Sequence, residues 1–294
     1  MKIGYFADGP WAHQAIDGIL SNNQIKISFI CLRYEKPDSF LRSVALAHNI
    51  PCFVEKNVNC DSFISALREY NCDLFVSMSF NQIFGSSIRN IAPLGIINCH
   101  AGRLPYYRGR NILNWALIND ENEFGITVHY VDDGIDTGDV ILQRCYPITD
   151  IDDYSSLLRR AYIYCADALL EVLDLFLRKQ VTSWKQNTVD EFGLYCSIRK
   201  PGDEIINWNT TSREIFNFVR ALTEPGPCAR TQLKNSEVKI MKLTYLPNAP
   251  VYKGIPGAIL AKKDGKFLVK TKDSYVSIDE FTCENSLRVG DRFK

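Results

Sequence analysis

Short apolar runs bounded by turn residues recur through the first half of the chain and alternate with stretches that read as helix. "KIGYFA" reads as a strand, and "DGPWAHQAIDGIL" as the turn and helix after it. "IKISFICL", "PCFVE", "CDLFVSMSF" and "GIINCH" are further strand-like runs. Between them, residues 39–48 suggest a helix and "DSFISALREYN" is amphipathic, with Asp61 placed to cap it. Continuous apolar runs of this length suit strands covered on both faces, as in parallel sheets. Parallel neighbours need crossover connections, and helices supply them. The pattern predicts an α/β domain with a mostly parallel sheet. "ILNWALIND" follows as a helix, then "GITVHYVD" and "DVILQRCYPI" as a strand pair around a turn. Over residues 152–179, Leu158, Ala161, Cys165, Leu169, Leu173 and Phe176 recur every three or four positions. They form one buried stripe of a long helix, capped by Asp152 or Asp153. The first domain is expected to close near Gln186, giving residues 1–186.

Residues 187–294 differ in character. A helical "TSREIFNFVRAL" is followed by Pro and Gly at 225–227, then by "EVKIMKLTYL", "GAILAKKDGKFLVKTKD" and "SYVSIDEF". "KDG" between two alternating runs is a hairpin signal, so a smaller β-rich C-terminal domain is expected. Residues 199–294 carry 17 Lys and Arg against 11 Asp and Glu, a net of +6. The remainder is therefore −6, because the whole chain is neutral. A neutral total argues against a surface built wholly for nucleic acid. No stretch reaches the roughly 18 apolar residues of a membrane helix. "MKIGYFADG" has too short an apolar run for a secretory leader. The 10 cysteines form no CxxC pair and sit singly, mostly in apolar runs. They read as small core hydrophobes of a reduced, cytoplasmic protein.

"GIINCHAGRLPYYRGRNILNW" places Asn98, Cys99 and His100 at the end of an apolar strand. Side chains alternate along a strand, so Asn98 and His100 share a face and Cys99 points away. That spacing disfavours a Cys–His nucleophile pair. In open α/β sheets ligands bind beyond the carboxyl ends of the strands. An Asn amide there can donate to a developing oxyanion, and a His can move a proton near neutral pH. Asp136, in the Gly-flanked "VDDGIDTGDV", is a candidate partner for His100; Asp132, Asp133 and Asp139 compete with it. A buried polar cluster closing the strand end is the other reading. The loop lacks the alternate-oxygen spacing of a calcium site, and no metal is expected.

"NCHAGRLPYYRG" followed by "GITVHYVDDGIDTGD" resembles the formyltransferases that use 10-formyltetrahydrofolate. Their pattern is Asn-x-His, then Leu-Pro and Arg-Gly, then an Asp in a Gly-rich loop. The resemblance covers most of residues 1–180, and "RKPGDEIINW" and "IFNFVRAL" extend it weakly into the second domain. It implies a Rossmann-like catalytic domain, a C-terminal β domain and a homodimer. It also implies a catalytic set of Asn98, His100 and Asp136, acting without a metal. Gln82, Ile83, Phe84, Val131, Asp132 and Asp133 match the stretches that hold the folate. For the acceptor, Trp11 after the first strand offers a ring to a sugar or base, and the basic aromatic loop with Tyr107 and Arg108 suits a pyrophosphate or base. The run around residue 100 is most similar to the sugar N-formyltransferases, which act on nucleotide-linked amino sugars in surface-polysaccharide synthesis. A methionyl-tRNA formyltransferase is the alternative. That family carries a longer basic insertion after the second strand, whereas "RYEKPDSFLRS" (33–43) is short and mixed in charge. A nucleic-acid partner is therefore not expected. Arg103 stands where many members have a small polar residue.

Overall fold

In the computed structural model, which describes residues 1–294, the first half of the chain alternates as its apolar spacing predicts. It runs β1 (Lys2–Ala7), α1 (Gly9–Ser21), β2 (Lys26–Leu32), α2 (Ser39–Ala47), β3 (Cys52–Val54) and α3 (Asp61–Arg68). β4 (Leu74–Met78), a short α4 (Ser86–Arg89) and β5 (Ile96–His100) follow. Then come β6 (Arg108–Gly109), α5 (Ile112–Ile118), β7 (Glu123–Tyr130), β8 (Val140–Pro147) and α6 (Tyr154–Leu177). After these the chain forms β9 (Tyr195–Cys196), α7 (Ser212–Arg220), β10 (Ala229–Leu233) and β11 (Ser236–Thr244). It ends with β12 (Ile259–Lys263), β13 (Lys266–Lys270) and β14 (Tyr275–Cys283).

Seven strands make one sheet in the order β3-β2-β1-β4-β5-β7-β8. β1 to β5 pair in parallel, and β7 runs antiparallel to β5. The chain order reverses beside β1, which is where open α/β sheets leave a crevice at their carboxyl edge. One face is filled by aromatic rings. Phe6 meets Phe29, Phe75, Phe80 and Phe84 edge-on, with centroids 5.0–5.5 Å apart. Such contacts suit the ring quadrupole and add to the area buried. At the helix starts, one expected cap is displaced and the other is narrowed to a single residue. Asp61 lies inside the first turn of α3, and Cys60 occupies the cap without a side-chain bond. For α6, Asp153 is the cap: its Oδ1 accepts the Ser156 N–H at 2.7 Å, and Ser156 Oγ accepts the Asp153 N–H at 3.0 Å.

The chain divides into two compact units. One comprises Met1–Arg110, Phe124–Tyr146 and Arg159–Cys196; the other Asn111–Glu123, Pro147–Leu158 and Ser197–Lys294. The second unit holds an antiparallel five-stranded sheet in the order β10-β11-β14-β13-β12. The hairpin expected at Asp264 and Gly265 joins β12 to β13. Trp208, Ile215, Phe216, Val219, Val238, Val269 and Ile278 form its core. α5 packs on α7 in this unit, and Asn114 Nδ2 donates to the Ala221 carbonyl at 2.6 Å. No helix is long and apolar enough to cross a membrane.

Candidate active site

β5 delivers Asn98 and His100 to the carboxyl edge of the large sheet, two positions apart on the same face. Cys99 turns the other way, its Sγ 3.4 Å from the Cys165 carbonyl of α6. The antiparallel register sets Asn98 opposite His129 and His100 opposite Thr127. Asn98 Nδ2 lies 3.3 Å from His129 Nε2. The His100 ring is buried, and its Nε2 donates to the Tyr107 carbonyl at 2.8 Å. That placement needs Gly102: an added Cβ would sit 2.4 Å from His100 Nε2 and 2.5 Å from the Tyr107 oxygen.

Asp136 completes the group from the β7–β8 loop, held at a left-handed φ of 55°. Its Oδ2 is 3.7 Å from His100 Nδ1 and accepts the Gly109 N–H at 2.9 Å. Its Oδ1 is 3.6 Å from His129 Nε2. Burial pushes this carboxyl up, but its polar neighbours, the facing His100 foremost, outweigh burial and hold it well below the usual carboxylate range. Asp136 is therefore an anion between two imidazoles. Gln186 locks the two loops that meet here. Its Nε2 donates to the Asp136 and Gly138 carbonyls at 2.9 and 2.8 Å, and its Oε1 accepts from Arg108 Nε and Nη2 at 3.1 and 2.7 Å. A β6–β9 pair ties the same loop to residues 195–196.

Two of these groups were not singled out in the sequence. His129 had a signal, since it sits in "GITVHYVD" at the strand position facing Asn98 once the strands run antiparallel. Gln186 had none, because its partners lie 48 to 78 residues away in the chain.

The residues expected at the folate are spread along the same sheet edge. Gln82 accepts the Val58 N–H at 3.0 Å and donates to the Glu55 carbonyl at 2.8 Å, bracing the chain after β3. Ile83 is 67% exposed, while Phe84 is buried among the Phe6 rings. Val131 is anchored by its N–H to the Ile96 carbonyl at 2.8 Å. Asp132 accepts from the Gly134 N–H at 3.1 Å and the Thr137 hydroxyl at 2.5 Å, closing its own loop. Asp133 is exposed and pairs with Arg89. Of the residues expected at the acceptor, Tyr107 contributes its carbonyl to His100. Arg108 is buried, its guanidinium held by Gln186 and stacked on Tyr195 at 5.5 Å. Trp11 packs edge-on against Tyr162 at 4.7 Å. No cluster of His, Cys, Asp and Glu has the makings of a metal site.

Fold and sequence together define a group-transfer enzyme of the formyl transferase class. Residues 1–173 match the formyl transferase family, and residues 199–289 match the formyl transferase C-terminal domain. The chain belongs to this family and is a formyltransferase. Among its relatives is the methionyl-tRNA formyltransferase of Pelobacter propionicus, 33% identical over 249 residues that cover 85% of this chain and 76% of the relative. Another is the methionyl-tRNA formyltransferase of Fusobacterium nucleatum, 30% identical over 295 positions covering 97% and 93%. Among solved structures, WlaRD, a sugar 3N-formyl transferase determined with dTDP and 5-N-formyl-THF, superposes with a TM-score of 0.72. It is 24% identical, with 98% of this chain and 99% of that one covered. The N-formyltransferase from Helicobacter canadensis, complexed with folinic acid and dTDP-3-aminofucose, has a TM-score of 0.71 and 21% identity, covering 96% and 99%. Likeness at these identities establishes a shared fold.

Proposed function

We propose that this chain transfers a formyl group from 10-formyltetrahydrofolate to a primary amine at Asn98, His100 and Asp136. The observation that carries this reading is the convergence of those three side chains at one sheet edge in a chain of the formyl transferase family. The amine attacks the formyl carbon as its neutral form, because an ammonium has no lone pair. A tetrahedral oxyanion forms, the new C–N bond is made, and the bond to the folate N10 then breaks. Asn98 donates to the oxyanion through its amide. His100 does so by exchanging the Tyr107 carbonyl for the formyl oxygen, an adjustment of the sort active sites make when substrate binds. Asp136 holds His100 and helps move the amine proton to N10. Residues 82–84 and 131–133 form the donor side, and residues 106–110 the acceptor side. Tyr107 enters through its backbone, and Arg108 acts by fixing this loop through Gln186.

For the acceptor, the relatives at 30% identity or more favour the amine of methionyl-tRNA over the nucleotide-linked amino sugar that the motif suggested. We take methionyl-tRNA as the first reading. One observation supports the sugar as the second. The link between β2 and α2 spans only residues 33–38, and its Arg33 is committed to Asp8 at 3.3 Å. Asp38 is likewise committed, accepting the Leu41 N–H at 2.8 Å to cap α2. Besides Arg33, such a link offers a tRNA backbone one cation, Lys36, whose charge already acts on Asp8. The deciding experiment incubates the protein with 10-formyltetrahydrofolate and, in parallel, methionyl-tRNA or a panel of nucleotide-linked amino sugars. Mass spectrometry then follows the added formyl group. Formylation of methionyl-tRNA alone supports the first reading, and formylation of a sugar alone replaces it with the second. Folate release without any added amine would make the enzyme a hydrolase instead.

A further inference from the structure

We infer that His129 is a positioning residue, whose Nε2 accepts from the Asn98 amide and so fixes which end of that amide faces the reacting carbon. The inference rests on the formyl-transfer reading and adds a residue to its machinery. His129 Nδ1 lies 2.7 Å from the Tyr130 carbonyl oxygen. A carbonyl can only accept, so Nδ1 carries the proton. Asn98 Nδ2, 3.3 Å from Nε2, can only donate, so Nε2 presents its lone pair. Both contacts are met by one state, the neutral Nδ1–H tautomer. In that state one Asn98 N–H is spent on His129 and the second is held out from the strand edge. If the amide turned over, its oxygen would face the Nε2 lone pair, and the turned form is disfavoured. The alternative state, an imidazolium donating to Asp136 Oδ1 at 3.6 Å, would reverse the amide and withdraw the donor that an oxyanion needs.

The rest of the site supports this assignment. Asp136 already has Gly109 and His100 on its other oxygen, so its charge does not need the His129 proton. His129 is 2% exposed, so water does not compete for Nε2. Asn98 and His129 are direct cross-strand partners, and a rigid pair of strands sets their separation. The sheet thus does for Asn98 what the Tyr107 carbonyl does for His100: it chooses a proton arrangement before substrate arrives.

The test uses the full-length enzyme with whichever acceptor it formylates. His129→Leu should lower kcat by about 10–100-fold, short of the roughly 10²–10³ expected for losing the oxyanion donor itself, with the donor KM within about twofold. His129→Gln, whose carbonyl can accept the same bond, should recover most of that loss. In an Asn98→Ala background, His129→Leu should cost nothing further, because the residue acts only through Asn98. Multiplying losses in the double variant, or a donor KM that rises as kcat falls, would overturn the inference. Should His129→Leu fail to fold, long-range ¹H–¹⁵N spectra of the wild-type histidines decide it. A His129 in the Nδ1–H form near neutral pH is the expected result, and an Nε2–H form or an imidazolium is the refuting one. That measurement needs no turnover, so it stays informative if no acceptor is formylated and the transfer reading itself falls.

Discussion

Asp136 sits where a carboxylate is costly to bury, with a side chain only 14% exposed, and it is stabilised on Oδ2 by His100 and the Gly109 amide. The balance has a consequence for folding. An aspartate in an unfolded chain titrates near about pH 3.9. Because the folded value is depressed, the ionised form contributes stability that is complete above the unfolded value and is lost as pH falls through the folded one. Wild type should therefore exceed Asp136→Asn in urea stability by a constant margin from neutrality to about pH 5, and the margin should shrink steadily below about pH 4. A margin that holds unchanged down to about pH 2.5 would show that Asp136 is not the paired anion. For turnover, His100→Ala should bind donor normally while losing about 10²–10³ in kcat, near 2.7–4 kcal/mol of barrier. Gly102→Ala should resemble it in direction, since the methyl group occupies the space of the His100 ring edge. Isothermal titration with a folate analogue separates binding from chemistry in both variants.

The elements explain why some of this was legible in the sequence and some was not. Period-two alternation placed Asn98 and His100 on one face and Cys99 on the other, and each is where that rule puts it. Phe84 and Arg108 show the limit of such rules. Nothing local tells an aromatic at a ligand from one in a core, and Phe84 is settled by rings brought from β1 and the loop after β4. Arg108 looked like an anion ligand because its partner, Gln186, lies 78 residues on. Gln186 is thus the element-scale hinge of the site. Gln186→Leu would strip the partner from a buried guanidinium and leave two loop carbonyls unmet. Each orphaned group costs about 1–3 kcal/mol, so thermal or urea unfolding should show a loss of at least about 2 kcal/mol. Turnover should fall with it, because the Gly109 amide that holds Asp136 lies in the same loop. α7 offers a comparison far from the chemistry. Thr211 and Glu214 form a reciprocal capping box, so Thr211→Ala should cost about 1 kcal/mol of stability with kcat unchanged.

For the whole molecule, charge is the property that local motifs leave open. The chain is neutral overall, yet residues 199–294 carry a net of +6 and the rest −6. Lys262, Lys263 and Lys266 cluster around the β12–β13 turn, where Lys262 covers Phe267 at 5.2 Å. A solvated sheet edge uses lysines in this way to discourage strand pairing, with no partner involved. A polyanion-binding face uses them to release counterions, and the two uses respond differently to salt. Each phosphate neutralised contributes about −0.7 to −0.9 to the slope of log affinity against log salt. If methionyl-tRNA is the acceptor and these lysines engage it, raising salt from about 50 to 200 mM should lift its KM by an order of magnitude or more, with kcat at saturation unchanged. Replacing Lys262, Lys263 and Lys266 by Gln should flatten that slope by about 2–3, the number of phosphate contacts removed. A nucleotide-linked sugar has too few phosphates to generate such a slope. A KM for methionyl-tRNA that stays within about twofold over this range would assign the lysines to edge protection, because an acceptor held by phosphate contacts cannot escape counterion competition.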